Sequence, residues 1–324
     1  MKNFWQQLKA DLSRAGRGIF VLAPMADVTD CVFREIINKY GKPDVFWTEF
    51  VSADGLAHPV AREKLLIDLR YDKAEHPIVA QIFGGKPDNI REAAKLCAEL
   101  GFDGVDINMG CPDKAIEKQC AGSGMIKNPP LAREVIRAAI EGAGGLPVSV
   151  KTRIGYNKNE METWLREVLS EDIAVLTVHL RTRKEMSDVP AHWDLMKRIL
   201  EIRDEVNKNV LIFGNGDVLD INDAHQRVKE TGCDGIMLGR AIFGNPWLFA
   251  GKVPTLEEKL KVMIEHTKLF EKVLSPHKNF AIMKKHYKAY VNNFEGAKEL
   301  RVKLMEAENA TEIENITNEF LKKF

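Results

Sequence analysis

Short runs of β-branched and aromatic residues recur eight times before Gly239, and that recurrence constrains the fold more than any other feature. The runs are Phe20–Leu22, Val45–Trp47, Ile78–Phe83, Val105–Ile107, Val148–Lys151, Val175–His179, Val210–Phe213 and Gly235–Leu238. Stretches with helical spacing lie between them. The clearest is Asp88 to Leu100, with Asp88 as N-cap, apolar residues at Ile90, Ala93, Ala94, Cys97 and Leu100, and Gly101 as the stop. Leu131 to Ile140 and His192 to Val206 read similarly. Strands alternating with helices imply a parallel α/β sheet. Eight such units within a domain of about 250 residues favour a closed (β/α)8 TIM barrel. Gln81, Asn108, Lys151, His179, Asn215 and Gly239 end strands, where barrels carry their active sites.

The pattern changes after Phe249. Helical stretches follow at Thr255–Leu274, Asn279–Asn293, Ala297–Glu308 and Thr311–Lys323, without further strand signals. Residues 1–250 are therefore expected to form the barrel and residues 251–324 an all-helical domain. The 324-residue chain is 45% hydrophobic, which excludes a disordered or collagen-like chain. No apolar run approaches the roughly 18 residues of a membrane span. The opening residues carry Lys9, Asp11, Arg14 and Arg17, unlike a secretory signal. Five scattered cysteines form neither a disulfide framework nor a zinc spacing, so no metal and a reducing cytoplasm are expected.

The 47 basic and 47 acidic residues cancel, which argues against a protein basic all over. The balance is uneven along the chain. Lys268 to Lys303 holds nine basic residues against three acidic ones. On charge alone this stretch is either a solvated helical face or a nucleic-acid footprint.

The segment Asp106-Ile107-Asn108-Met109-Gly110-Cys111-Pro112 places a cysteine on a sharp turn just past a strand. A thiol there is a nucleophile or a proton donor, and with an ordinary pKa near 8.5 it suits an acid. Cys97 falls on the apolar face of its helix and reads as core, while Cys31 and Cys233 lack any such context. Cys120 belongs to the loop Cys120-Ala121-Gly122-Ser123-Gly124, expected to fold over the site as a lid. Gly214-Asn215-Gly216-Asp217 and Gly239-Arg240 follow strands seven and eight, where barrels commonly bind phosphate. A helix beginning near Ala241 would add its positive end. Lys151 needs an anionic partner in a barrel mouth, either a carboxylate or the negative charge of a reduced flavin. His179 is a structural histidine or a ligand contact, and Met25 is core filler or the wall for a flat ring. No Gly-x-Gly-x-x-Gly opens a helix after a strand, and Walker A and His-Glu-x-x-His sequences are absent. A phosphorylated cofactor without a Rossmann motif points to a barrel flavin, FMN.

The segments form an ordered series. Leu22-Ala23-Pro24-Met25-Ala26-Asp27-Val28-Thr29-Asp30 with Phe33-Arg34 comes first, then Gln81-Ile82-Phe83-Gly84, the Cys111 segment and Ala121-Gly122-Ser123-Gly124. Lys151-Thr152-Arg153-Ile154-Gly155, His179-Leu180-Arg181-Thr182, Gly214-Asn215-Gly216-Asp217 and Gly239-Arg240-Ala241 with Pro246-Trp247 complete it. Over nearly its whole length the chain resembles the tRNA-dihydrouridine synthase family. The resemblance implies an FMN barrel, NADPH as reductant, uridine in tRNA as substrate, and a C-terminal helical domain that helps hold the RNA. By position, Pro24, Met25 and Ala26 would line the flavin, and Gln81 would bond its ring edge. Lys151 would sit near its pyrimidine, and Asn215, Gly216, Asp217, Gly239 and Arg240 would hold its phosphate. Asn108, Arg153 and His179 would lie near the uracil or the flavin, and Arg181, Lys284 and Lys285 would contact substrate. Cys111 matches the family's catalytic cysteine. The implied chemistry is hydride transfer from reduced FMN to uracil C6 and protonation of C5 by Cys111. Two positions depart from the family pattern, Leu180 and Pro190, where glycine is usual. The rival readings are another FMN barrel acting on a small pyrimidine, an RNA-binding protein without catalysis, and a phosphate-sugar isomerase barrel. A monomer is expected.

Overall fold

The computed structural model describes residues 3–323. Eight parallel strands run in the order β1-β8-β7-β6-β5-β4-β3-β2. They are β1 Ile19–Leu22, β2 Phe46–Ser52, β3 Ile78–Phe83, β4 Gly104–Met109, β5 Val148–Arg153, β6 Val175–His179, β7 Leu211–Asn215 and β8 Gly235–Leu238. The ring closes where β1 meets the start of β2 through a bridge between Val21 and Val45. Asp44 holds this seam: its carboxylate accepts from Phe20 N–H at 2.7 Å and from both arms of Arg17 at 2.7 Å.

Side chains alternate across each strand. Ile19, Val21 and Ala23 of the β1 region join an inner apolar cluster, whereas Phe20 and Leu22 pack outward under the helices. The inner cluster is built around Trp5 of the helix Phe4–Arg14, whose indole lies 5.6 Å from the rings of Trp47 and Phe213. Asn3 caps that helix by accepting from Gln6 N–H. The helices after β3, β4 and β6 are Pro87–Glu99, Pro129–Gly142 and Met196–Val206. Asp88 is not the N-cap of the first. Pro87 occupies the first turn and Lys86 the cap position, because proline's missing N–H and fixed φ suit the helix start.

The last strand residue is Leu238, and from Leu256 the described chain is helical: Leu256–Leu274, Met283–Tyr290, Ala297–Glu306 and Ala310–Leu321. Thr255 and Glu258 make a capping box at the first of these. The second is shorter than its spacing suggests, because Asn279 accepts from Ala281 N–H and starts a separate 3-10 turn, Phe280–Ile282. Among the described residues no helix is long and apolar enough to cross a membrane.

The long helix packs on the barrel helix Cys31–Gly41. Phe33 stacks on His266 at 4.8 Å, His286 lies edge-on to both, and Glu265 accepts from Lys39 and Tyr40 at 2.6 Å. Lys278 reaches Glu49 at 2.8 Å and Asp68 at 2.7 Å, so this member of the basic stretch is spent on the barrel. His266 and His286 are fully buried. Burial holds His266 well below its ordinary pKa and His286 down to about 3. An unfolded imidazole titrates near 6.5. The stabilisation from keeping these rings neutral is therefore complete above about pH 6.5 and is lost as pH falls. At pH 5 the loss is about 2 kcal/mol for His286 alone. The urea midpoint is expected to fall between pH 7 and pH 5, and His286→Phe should flatten that fall. An equal slope in the variant would contradict this account.

Candidate active site

The C-terminal strand ends surround one pocket. Its wall contains Pro24, Met25, Lys151, His179, Arg181, Asn215, Gly216, Asp217, Gly239 and Arg240, joined by Ala23, Ser187, Val218 and Met237. Ala26 is exposed on the rim outside that wall.

Period two explains why polar residues converge here. Asp106 and Asn108 share a face of β4, Ser149, Lys151 and Arg153 a face of β5, and Thr177 and His179 a face of β6. The Lys151 ammonium makes no hydrogen bond or ion pair among the described residues. Burial and then Arg153 bring its pKa down to about 8, while Asp106 and Cys111 oppose the fall. Burial and the Arg153, Lys151 and Arg181 charges hold His179 neutral. Arg181 lies 3.3 Å from His179 Nε2. A guanidinium only donates, so Nε2 accepts and Nδ1 carries the proton.

Past the last rungs of the ladder, Leu180 N–H to Asn215 O and Ala23 N–H to Leu238 O, the N–H groups of Gly216, Asp217, Gly239 and Arg240 have no acceptor among the described residues. Gly216 has φ +124°, open to glycine almost alone, and turns the chain out of the strand here. These N–H groups are free to donate to an anion from outside the chain. The helix expected from Ala241 is absent: only a 3-10 turn, Arg240–Ile242, forms before the chain leaves helical geometry at Phe243 (φ −60°, ψ 119°). Asp217 faces cations. Its carboxylate accepts from Arg181 and, at 2.6 Å, from Arg240, and these bonds hold its pKa low against burial. It orients two arginines, and only its N–H is free for an anion.

Arg181 is almost fully buried, with Nε donating to Val189 O at 2.6 Å. Leu180 is fully buried in the core, so its side chain stays away from the rim. Arg153 is a brace. It donates to Gly110 O (2.8 Å), Thr182 O (3.1 Å) and Met186 O (3.4 Å), tying the β5 end to the loops after β4 and β6.

Cys111 stands at the end of β4, half-buried beside Phe83, Ile116 and Ala121. Burial pushes its thiol pKa up, against the Asp113 N–H and the Lys151 and Arg153 charges. Asn108 Oδ1 accepts from Gly110 N–H at 3.1 Å and Cys111 N–H at 2.9 Å. Gln81 and Asn108 lie in the barrel interior next to this turn, bonded to each other. Lys284 and Lys285 lie elsewhere, on Met283–Tyr290, with Lys285 3.7 Å from Asp27 beyond Ala26.

The segment Ala121–Gly124 is no lid. Gly122 to Lys127 is a buried 3-10 helix under the Cys111 turn. A Cβ on Gly122 would lie 2.7 Å from Cys111 O, so this glycine serves close packing rather than hinge motion. Ser123 donates to Cys111 O at 2.9 Å through N–H and to Glu117 at 2.6 Å through Oγ. Glu117 also accepts from Arg183 at 2.7 Å and Tyr156 at 3.1 Å. Cys120 is exposed, at φ +54°. Glu117, Tyr156 and Arg183 escaped sequence reasoning, which took Ser123 only as part of a lid loop, since nothing in the spacing joins positions 66 residues apart.

A family model described as dihydrouridine synthase matches residues 21–324. A protein named "Probable tRNA-dihydrouridine synthase" from Staphylococcus aureus (strain Mu50) is 42% identical over 98% of this chain and 96% of its own length. "Probable tRNA-dihydrouridine synthase 2" from Bacillus subtilis (strain 168) is 42% identical over 100% and 98%. Among solved structures, an old yellow enzyme homologue from Zymomonas mobilis aligns at TM-score 0.52 and 16% identity, covering 74% of this chain and 91% of that one. Morphinone reductase in complex with tetrahydroNAD aligns at TM-score 0.50 and 15% identity, covering 74% and 89%. At such identity these two likenesses speak for the barrel alone.

Arg153→Lys keeps the charge but not the fork, leaving at least one of three carbonyls unpaired. Urea unfolding should show a loss of about 1–3 kcal/mol. Hydrogen exchange should rise across residues 182–188. Unchanged exchange there would remove Arg153 as the brace.

Proposed function

The chain belongs to the dihydrouridine synthase family, and we infer from that premise that it reduces uridine in tRNA to 5,6-dihydrouridine, with FMN as its redox group and NADPH as reductant. The observation that carries the reading is a half-buried thiol, Cys111, at the barrel mouth near a half-buried ammonium, Lys151, that makes no ion pair among the described residues.

The pocket suits a phosphate-bearing ring. The free N–H groups of Gly216, Asp217, Gly239 and Arg240 and the Arg240 guanidinium fit the phosphate end. A Cβ on Gly239 would stand 3.6 Å from Ala23 Cβ and 3.8 Å from Met25 Sδ and would fill part of this cradle. Ala23, Pro24 and Met25 would flank the ring, with Asn215 at its phosphate side. Lys151 fits the edge that gains negative charge, and neutral His179 offers the Nδ1 proton. Gln81 and Asn108 would lie beneath the reacting rings. When bound, the flavin supplies the hydride that saturates the C5–C6 double bond of uracil.

The chain's own groups do the rest. Cys111 Sγ holds its proton at neutral pH because burial disfavours the thiolate. It can deliver that proton to C5 as the double bond is reduced. Arg153 and Arg181 keep the surrounding loops and His179 in place.

Residues 251–324 would hold the RNA. Lys268 and Lys278 are engaged by Glu314 and by Glu49 with Asp68, whereas Lys285, 3.7 Å from Asp27 in the loop after β1, and its neighbour Lys284 would contact phosphate. Replacing both with Ala should lower the slope of log affinity against log salt by about 1–2. An unchanged slope would move the RNA elsewhere. We place the enzyme in the cytoplasm, acting as a monomer.

The test of the reading is a visible spectrum of the purified protein followed by NADPH, unmodified tRNA and mapping of dihydrouridine. A flavin spectrum with dihydrouridine at a defined position is expected. NADPH oxidation without modified tRNA would shift the substrate to another RNA or a free pyrimidine. Cys111→Ala should keep bound flavin reducible by NADPH while dihydrouridine formation falls at least about 100-fold. A normal yield from that variant would sink the acid role.

A further inference from the structure

Beneath the reactive turn runs a chain of buried polar side chains. Ser149 Oγ donates to Asp106 Oδ1 at 2.5 Å, and Gln81 Nε2 donates to Asp106 Oδ2 at 2.6 Å. Asn108 Nδ2 donates to Gln81 Oε1 at 3.0 Å. Asn108 Oδ1 accepts from Gly110 and Cys111 N–H. Asp106, Gln81 and Ser149 are at most 1% exposed, and Asn108 is 6% exposed.

The polarity of this chain is set at both ends. A carboxylate only accepts, so the nitrogen of Gln81 must face Asp106. The Gln81 oxygen must then face Asn108, and the nitrogen of Asn108 must face Gln81. That leaves the Asn108 oxygen for two backbone N–H groups, which only donate. Each amide has one orientation that satisfies every link, and reversal anywhere leaves two donors or two acceptors opposed in a dry interior.

Resting on the catalytic reading of Cys111, we propose that Asp106 is a positioning residue, whose carboxylate sets the Gln81 amide, then Asn108, and through Asn108 the backbone that carries the Cys111 thiol. It touches no reacting atom. Its loss removes the carboxylate end of the relay, so the amides are then fixed only by the turn they are meant to hold, and the turn loosens.

The test uses holoenzyme carrying Cys120→Ser, so that Cys111 is the accessible thiol, with Cys97 as the control for folding. Asp106→Asn should lower kcat for dihydrouridine formation about 10–100-fold, with KM for tRNA within about twofold. Iodoacetamide alkylation of Cys111, followed from pH 6.5 to 10 on the order of pH units around the thiol's ordinary range, should reach a higher plateau rate at high pH. Adding Gln81→Glu exchanges carboxylate and amide across the same contact and still offers Asn108 an oxygen. That double variant should return the plateau to within about twofold of the Cys120→Ser parent, whatever its activity.

An unchanged plateau and kcat in Asp106→Asn would overturn the proposal. So would a shifted alkylation midpoint at an unchanged plateau, which is an electrostatic effect, or failure of the double variant to restore the rate. If Asp106→Asn exposes Cys97, Ser149→Ala replaces it, with a smaller change in the same direction expected and no change counting against the relay. Alkylation is read without RNA, so its outcome stands apart from whether tRNA is the substrate.

Discussion

Eight parallel strands in sequence order can satisfy their edge hydrogen bonds only by meeting their own beginning. The seam between β1 and β2 is the thinnest join, a single bridge held by Asp44 between Phe20 N–H and the Arg17 fork. Closure there brings every strand's C-terminal end to one rim. Lys151 of β5, His179 of β6, Asn215 of β7 and Arg240 after β8 thereby come to share a pocket. An open sheet of the same strands would spread those groups along an edge.

The rim stays ordered because its loops hold one another. Arg153 reaches carbonyls on two loops besides its own strand. Glu117 joins Ser123, Tyr156 and Arg183 from three segments. Such contacts contribute little fold information and much precision, since a buried fork leaves its carbonyl partners a single geometry. The pocket consequently has cationic sides held by loop-to-loop contacts, with N–H donors free after β7 and β8.

What was legible in the sequence was whatever repeats or sits at a fixed offset from a strand end. Cys111 after β4, Lys151 on β5 and the Asn215-Gly216 turn are of that kind. Asp106 could have been found by the same logic, because it lies two residues before Asn108 on the same strand face. Direction of side chains was not legible. Arg181 turns inward to Asp217, and Lys278 turns back to Glu49, though both look like free cations in the sequence. Glycines were ambiguous for a related reason. Ala121–Gly124 suits a hinge or a tight approach, and only the nearness of Cys111 O decides for the second. The ring that His266 stacks on, Phe33, comes from an element more than 200 residues away, beyond any local pattern.

The stopper at the other end of the barrel has a consequence for biosynthesis. Trp5 is translated before any of the eight strands, yet its seat is made by Trp47 and Phe213, with Met237 in the same cluster. That seat does not exist until the eighth strand has been translated. The helix Phe4–Arg14 must therefore wait, apolar face unburied, until the last strand is made, and its docking marks the moment at which the barrel's floor is sealed.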